Sequence, residues 1–130
     1  MGDERIDAVM QTEFPRLRPD MPIREAVARL VEGRIAAAPV VDDTDALVGI
    51  LSQKDCFRSA LNASYYQQWS GTVAEHLTRD VRAIDADTDI VTAAEMFLEF
   101  PYRTYPVLRD GQLVGLLARS DLLAVFLKCG

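Results

Sequence analysis

Two seven-residue stretches of this chain end in an acid placed where chemistry is possible. They are Gly49-Ile50-Leu51-Ser52-Gln53-Lys54-Asp55 and Gly115-Leu116-Leu117-Ala118-Arg119-Ser120-Asp121. Each follows an apolar run and opens a helical pattern, so each carboxylate is expected in the first turn of a helix. An ionised aspartate accepts hydrogen bonds from both hydroxyls of a ribose, as an acid does in dinucleotide-binding folds. The free backbone N–H groups of a first helical turn favour an anion alongside it. A phosphate beside the helix start, with a sugar on the carboxylate, is the chemistry these positions permit. A second reading stands next to it. Ser52-Gln53-Lys54-Asp55 is also a capping box, with Ser52 as N-cap and the acid at N3. Such a cap stabilises a helix by about 0.5–2 kcal/mol without any ligand. The capping reading is weaker for Asp121, because Ala118 is a poor N-cap.

The elements that carry these acids are written twice. Shifted by 67 positions, the chain matches itself: Ile6 falls on Val73, Met10 on Leu77, Leu17 on Ile84, Asp20 on Asp87, Leu30 on Phe97, and Pro39-Val40 on Pro106-Val107. One extra residue in the first copy's turn then brings Gly49 onto Gly115 and Asp55 onto Asp121. Each copy opens with a short extended piece, Arg16-Leu17-Arg18 or Val81-Arg82-Ala83-Ile84. A helix follows, with Asp20 or Asp87 as expected N-cap. Its apolar stripe is Ile23, Ala26, Val27, Leu30, or Ile90, Ala93, Ala94, Phe97. A hairpin comes next. Its turn is Asp42-Asp43-Thr44-Asp45 in the first copy and Asp110-Gly111, a strong hairpin signal, in the second. A helix begins directly after the second strand, and residues 56–72 extend it and join the copies.

The expected fold is therefore α/β (α+β): tandem β-α-β-β-α repeats packed with pseudo-two-fold symmetry. The expected division is residues 1–66, the first repeat with its N-terminal segment and linker helix, and residues 67–130, the second repeat. A half of this size is marginal alone. The two are expected to bury sheet faces against each other, leaving two related clefts.

The bulk properties narrow the function. The chain has 130 residues, 49% of them hydrophobic and 26% charged, which suits one globular domain. A net charge of −6 argues against a broad nucleic-acid or membrane-surface footprint. Twelve of the fourteen basic residues are Arg, the side chain suited to forked contacts with phosphate. Cys56 and Cys129 have no metal-ligand spacing and read as free thiols in a reducing compartment. No signal-peptide pattern opens the chain and no apolar stretch reaches membrane-helix length. The expectation is a cytoplasmic, soluble protein.

The doubled unit, with Pro-Val opening a hairpin and a Gly-to-Asp motif closing it, resembles the cystathionine-β-synthase (CBS) domain pair, or Bateman module, over about residues 6–127. The resemblance implies a regulatory module that binds an adenosine-type ligand (AMP, ADP, ATP or S-adenosylmethionine) in clefts between the repeats, and signals to a partner protein. It also implies a homodimer, with no required cofactor, no metal and no catalysis. The implied ligand residues are Asp55 with Ser52 and Asp121 with Ala118. Ala118 departs from the pattern by lacking the hydroxyl. Arg119 compensates with a forked guanidinium, and Arg103, three residues before Pro106, lies where the family often places a phosphate-reaching base. One cleft thus offers Asp121, Arg119 and Arg103; the other offers Asp55, Ser52 and Lys54. Backbone and an apolar slot for the base are expected from Thr12-Glu13-Phe14 with Ala37-Ala38, and from Arg79-Asp80-Val81 with Thr104-Tyr105. Phe14 and Tyr105 flank a base or belong to the core. The alternative is a ligand-free structural or protein-interaction dimer.

Other residues carry simpler readings. Tyr65, Tyr66 and Trp69 either meet a partner or cover the repeat seam. His76, the sole histidine, reads as a surface or capping residue. Cys56 reads as a buried small hydrophobe rather than an activated thiol. Glu95 and Glu99 read as a solvated helix face. No P-loop, GxGxxG, HExxH or CxxC is present, which sets an enzyme aside.

Overall fold

A computed structural model of the chain describes residues 4–129, the side chain of Cys129 excepted. The reading of Cys129 as a free thiol therefore lies outside the described residues. The chain divides into two compact units: Pro15–Val81, and the residues up to Phe14 together with those from Arg82 onward. The first unit thus takes in residues 67–81, and the other takes in the chain up to Phe14.

In the first unit, α1 spans Ile23–Gly33, β1 Ala37–Val41, β2 Leu47–Ser52 and α2 Phe57–Tyr66, with single 3-10 turns at Lys54–Cys56 and Val73–Glu75. The other unit has a 3-10 turn at Ile6–Ala8, then β3 Ile84–Asp85, α3 Ile90–Glu99, β4 Thr104–Arg109, β5 Gln112–Ala118 and α4 Arg119–Cys129. Both hairpins form in the register expected for a repeat. Pro39 faces Ile50 and Val40 faces Gly49, just as Pro106 faces Leu116 and Val107 faces Gly115. Both first strands bulge at the same repeat position, between Val40 and Val41 and between Val107 and Leu108. The opening extended pieces are shorter than read: Leu17 makes one parallel bridge to Val40, and β3 begins at Ile84 beside Val107.

The turns follow their residues. Asp110 and Gly111 take φ of 52° and 80°, the left-handed pair that a two-residue hairpin with the right twist needs. In the longer turn the Asp42 carboxylate accepts from the Thr44 hydroxyl (2.6 Å), the Thr44 N–H (2.8 Å) and the Ala46 N–H (3.1 Å). These bonds, the Thr44 hydroxyl first, hold its acidity above that of an ordinary aspartate.

The helix starts correct the expected caps. The N-cap of α3 is Asp89, not Asp87: its carboxylate accepts from the Thr92 N–H at 2.7 Å, the three-residue reach a cap requires. Asp87 instead donates its N–H to the Asp85 carboxylate at 2.9 Å, within the preceding turn. Helix α1 starts after Pro22, whose φ of −56° is already helical; Asp20 is too far upstream to cap it. The stripes bury as their spacing predicts, with Ile23, Ala26 and Leu30 in one core and Ile90 and Ala93 in the other. Each unit has its own apolar core, one gathered around Leu17, Val40 and Leu51, the other around Ile84, Val107 and Leu117.

The positions that cross between repeats are set by two glycines. Gln11 and Leu116 exchange both backbone hydrogen bonds (2.8 and 2.9 Å), and Thr78 and Ile50 do the same (2.9 and 2.8 Å). The segment leading into each repeat therefore pairs with the closing strand of the other repeat. A Cβ on Gly49 would fall onto the Thr78 carbonyl oxygen and the Leu77 side chain. A Cβ on Gly115 would fall onto the Met10 thioether and lie 3.0 Å from the Gln11 carbonyl oxygen. Backbone yields less readily than a methionine tip. Gly49→Ala is therefore expected to destabilise by about 1–3 kcal/mol, the usual scale of overpacking, and Gly115→Ala by less. Calorimetric unfolding of the two variants checks the ranking, which equal losses would overturn.

Candidate functional site

The site is built at the end of each closing strand. In the unit from Arg82 onward, Thr104 of β4 faces Ala118 of β5. One step on, the Arg119 N–H donates to the Arg103 carbonyl at 2.9 Å. This bond holds two exposed arginines at one point in the backbone, and neither has an acidic partner among the described residues. Asp121 is half-buried in the first turn of α4. Its Oδ2 accepts from the Gln11 side-chain amide at 2.7 Å, across 110 positions of sequence. Gln11 reaches it because its own backbone is bridged to Leu116 of β5.

The other unit repeats the plan with different side chains. Ala37 faces Ser52, and Ala38, fully buried, faces Leu51. The Gln53 N–H donates to the Ala36 carbonyl at 2.8 Å, the counterpart of the Arg119–Arg103 bond with no basic side chain at either position. Ser52 and Asp55 form a reciprocal box: the Ser52 N–H donates to Asp55 Oδ2 (3.0 Å), and the Asp55 N–H donates to Ser52 Oγ (3.2 Å). The Thr78 hydroxyl adds a longer bond to the same carboxylate oxygen (3.4 Å). The reciprocal bonds of the capping reading are present, although the 3-10 turn that follows takes Gln53 rather than Ser52 as its N-cap. Neither Oδ1, on Asp55 or on Asp121, accepts a hydrogen bond among the described residues. Lys54 is exposed, and Val81 is half-buried at the end of its unit.

The segments expected at a base are divided between the two units. Thr12, Glu13 and Phe14 share a unit with Asp121, and Arg79, Asp80 and Val81 share one with Asp55. Ala38 contributes its side chain to the core. Tyr105 is also core: it is fully buried, edge-on to Phe97 and Tyr102, and its hydroxyl donates to the Met96 carbonyl (3.1 Å). Gln11 and Thr78 were not singled out in the sequence. Their shared signal is their alignment with each other, one residue after the aligned pair Met10 and Leu77.

The remaining candidates resolve separately. His76 follows the Val73–Glu75 turn as its C-cap, and its Nε2 sits 2.8 Å from Ser59 Oγ. The capping role agrees with the sequence reading, and the serine that meets the ring, Ser59, is buried inside α2 and presents no nucleophile to solvent. Trp69 packs on the core of its own unit, while Tyr65 and Tyr66 stand out at 81% and 77% exposure. A mostly apolar groove lined by Val27, Leu30, Val31, Phe57 and Ala60, together with Gln53, runs between α1 and α2. Among the described residues, no three His, Cys, Asp or Glu side chains gather as metal ligands, and no helix is long and apolar enough to cross a membrane.

Comparison with known proteins fits this plan. The family model of the CBS domain matches twice, at residues 6–62 and 73–128. The chain belongs to the CBS domain family. A CBS-pair protein, CBSX2 of Arabidopsis thaliana, has been solved in complex with AMP; it is 25% identical, superposes with a TM-score of 0.83, and is matched over 96% of this chain and 97% of its own. The CBS domain pair of MJ0100, solved with 5′-methylthioadenosine and S-adenosyl-L-methionine, is 22% identical with a TM-score of 0.81 over 98% of each chain. An uncharacterized 17.7 kDa protein of Acidianus ambivalens is 24% identical over 95% of this chain and 73% of its own length. The chain spans only 42% of a Methanocaldococcus jannaschii relative and 14% of an Aquifex aeolicus A-adding tRNA nucleotidyltransferase.

Two outcomes test the local chemistry. Ser52→Ala is expected to cost about 0.5–2 kcal/mol by removing the box. Ala118→Ser is expected to raise the melting temperature by supplying the missing half of one; a loss there would show that Asp121 cannot take the same geometry. The Cys56 thiol is pushed up to about 11, by burial first and then by the Asp55 charge. A raised thiol is neutral below that value. At pH 8 iodoacetamide should therefore modify native Cys56 about a hundredfold more slowly than an ordinary thiol titrating near 8.5. Peptide mass spectrometry reads this, and labelling at the rate of urea-unfolded protein would refute it.

Proposed function

We propose that this CBS pair is a ligand-sensing regulatory module that binds an adenosine-type nucleotide (AMP, ADP, ATP or S-adenosylmethionine) and passes its state to a partner protein. The observation that carries the reading is Asp121. Its carboxylate stands in a first helical turn with one oxygen held by Gln11, next to two arginines joined through their backbones. A carboxylate suits a ribose diol, and Arg103 and Arg119 suit phosphate in forked contact. Thr104 lies on the same strand ends as Arg103 and Ala118. Asp55, with Ser52, Lys54, Ala38 and Val81, forms the second candidate site. It has fewer charges for phosphate, and its carboxylate is already engaged in a cap. Support also comes from CBSX2, whose structure contains AMP, and from the MJ0100 pair, whose structure contains two adenosine derivatives.

A second reading rests on another observation. Val31, Phe57, Leu61, Tyr65 and Tyr66 are all well exposed on or beside α1 and α2. Apolar and tyrosine side chains on adjoining helices suit a protein interface, including a homodimer, with no ligand involved.

A thermal-shift series with AMP, ATP, S-adenosylmethionine and GTP separates the two. A ligand at one hundred times its dissociation constant adds about 2.7 kcal/mol of stability, a shift of several degrees. At least one adenosine ligand should produce it. Asp121→Ala should then weaken that ligand about ten- to a hundredfold by calorimetry, the scale of hydrogen bonds to a charged group. A flat response to all four leaves the interaction module as the reading, and unchanged affinity in Asp121→Ala moves the site elsewhere.

A further inference from the structure

The helices of both repeats leave the same three places uncovered. Val31 of α1, with Phe57 and Leu61 of α2, falls by the repeat alignment on Leu98 of α3, with Leu123 and Leu127 of α4. All six side chains are between 59% and 89% exposed. Single apolar residues on a surface need no explanation. A triplet that recurs at equivalent positions on two helix pairs is a face, and each unit carries one.

What surrounds the triplets has diverged in charge and in shape. Arg24, Lys54 and Arg58 stand three residues before Val27, Phe57 and Leu61, the spacing of neighbours on a helix surface. All three are exposed, and none has an acidic partner among the described residues. Their equivalents in the second repeat, Val91, Ser120 and Ala124, carry no charge. On α3 the sign inverts. Glu95 stands three residues before Leu98, where α1 has Ala28, and Glu99 follows one turn later. Both are exposed, and neither has a basic partner among the described residues. The acids of α1, Glu25 and Glu32, lie on its other stripe, and Glu25 is paired with Arg29 at 3.3 Å. Lys128 stands apart in the last turn of α4. The shapes differ too. Cys56 and Ala60 line the groove between α1 and α2. At their equivalents stand the bulkier Leu122 and Phe126, both packed into the core of their unit.

We infer that the occupant of the α1–α2 face is a second copy of this chain, and that it docks head to tail, through α3 and α4. The leucines at 98, 123 and 127 of one copy meet the groove and Phe57 of the other, and Glu95 and Glu99 face Arg24, Lys54 and Arg58. A chain of net charge −6 repels its own copies except where a basic surface receives an acidic one. The α1–α2 face is such a surface. Pairing like with like would bring cations to cations, acids to acids and groove to groove, and juxtaposed like charges reject a partner. The inference rests on the interface reading of these helices given above, adds to it which surface meets which, and is independent of any nucleotide.

Sedimentation equilibrium on the full chain tests this. The native chain should self-associate, and Phe57→Ser with Leu123→Ser should shift it to monomer. Arg24→Glu with Arg58→Glu should weaken association about tenfold, and Glu95→Lys with Glu99→Lys should do the same, because each pair sets like charges against each other. All four charge reversals in one chain invert both faces and should restore the native affinity. Lost stability does not mimic that rescue, since the restored chain carries every substitution of the two weakened ones. Salt gives a second reading on the native protein alone. Screening should weaken the association of unlike faces, whereas like faces, already repelling, would bind more tightly as salt rises. Association that strengthens with salt, or charge variants that bind as the native chain does, would overturn the head-to-tail pairing and leave an interface on these helices. A native chain that stays monomeric at every concentration would overturn the second copy as occupant and leave the face to another protein.

Discussion

A backbone laid directly over a glycine is what each unit depends on. The residues around Gln11 and Thr78 can pair with Leu116 and Ile50 only because the strand positions beside them, Gly115 and Gly49, have no side chain. Glycine here is required by close approach rather than by conformation. Three features follow from that pairing. The segment leading into one repeat becomes an edge of the other. Each motif aspartate meets a side chain from that segment, Gln11 for Asp121 and Thr78 for Asp55. The compact units end at Phe14 and Val81, out of phase with the repeats that encode them.

The two copies have used the same scaffold differently. In the first, Ser52 and Asp55 satisfy each other's backbone, which stabilises the start of the helical turn and commits one carboxylate oxygen. In the second, loss of the hydroxyl at Ala118 removes half of that box, and the charge around Asp121 changes with it through Arg103 and Arg119. A cap and a ligand draw on the same lone pairs. A site that gives up its cap keeps acceptor capacity for something else, and loses a stabilising contact in doing so. The duplicated fold tolerates this because its cores are separate, one around Leu51 and one around Leu117.

Much of this was legible in the sequence, for identifiable reasons. The helices showed because Ile23, Ala26 and Leu30, and Ile90 and Ala93, recur at helical spacing and bury as one face. The hairpins showed because Asp110-Gly111 and the Asp42 turn carry their own conformational chemistry. The motif acids showed because they close a repeated phrase. The caps of α1 and α3 were each misjudged by two residues: the one aspartate just ahead of α1, Asp20, gives way to Pro22, and of Asp85, Asp87 and Asp89 ahead of α3 only geometry selects the one within reach of N3. Gln11 and Thr78 stayed hidden for a deeper reason. Their partners lie 110 and 23 positions away, and no local pattern reports a contact made by strands exchanged between repeats. Alignment of the two copies marks them only as equivalent, not as paired with the acids. The meeting of Ser59 with His76 was hidden in the same way, since one lies inside a helix and the other beyond a loop.

The exchange also bears on how a bound ligand would be felt. The chain passes from one unit to the other at Phe14–Pro15 and again at Val81–Arg82. Gln11 lies three residues before the first crossing and Thr78 three before the second. A ligand that shared hydrogen bonds with Gln11 or Thr78 would therefore act on backbone that leads, within three residues, into the other unit. Regulation needs a ligand that prefers one arrangement over another, since equal affinity for both shifts nothing. A ligand held only by residues inside one unit has no means of expressing such a preference through the chain. One that engages the exchanged segment does, because holding or releasing that segment differs in energy by the bonds it makes. The coupling available is bounded by those few hydrogen bonds, each about 0.5–1.5 kcal/mol. In a module with two arrangements, that range would give a graded bias in their populations rather than an all-or-none switch, and a partner protein would have to bind one of them selectively to sharpen it.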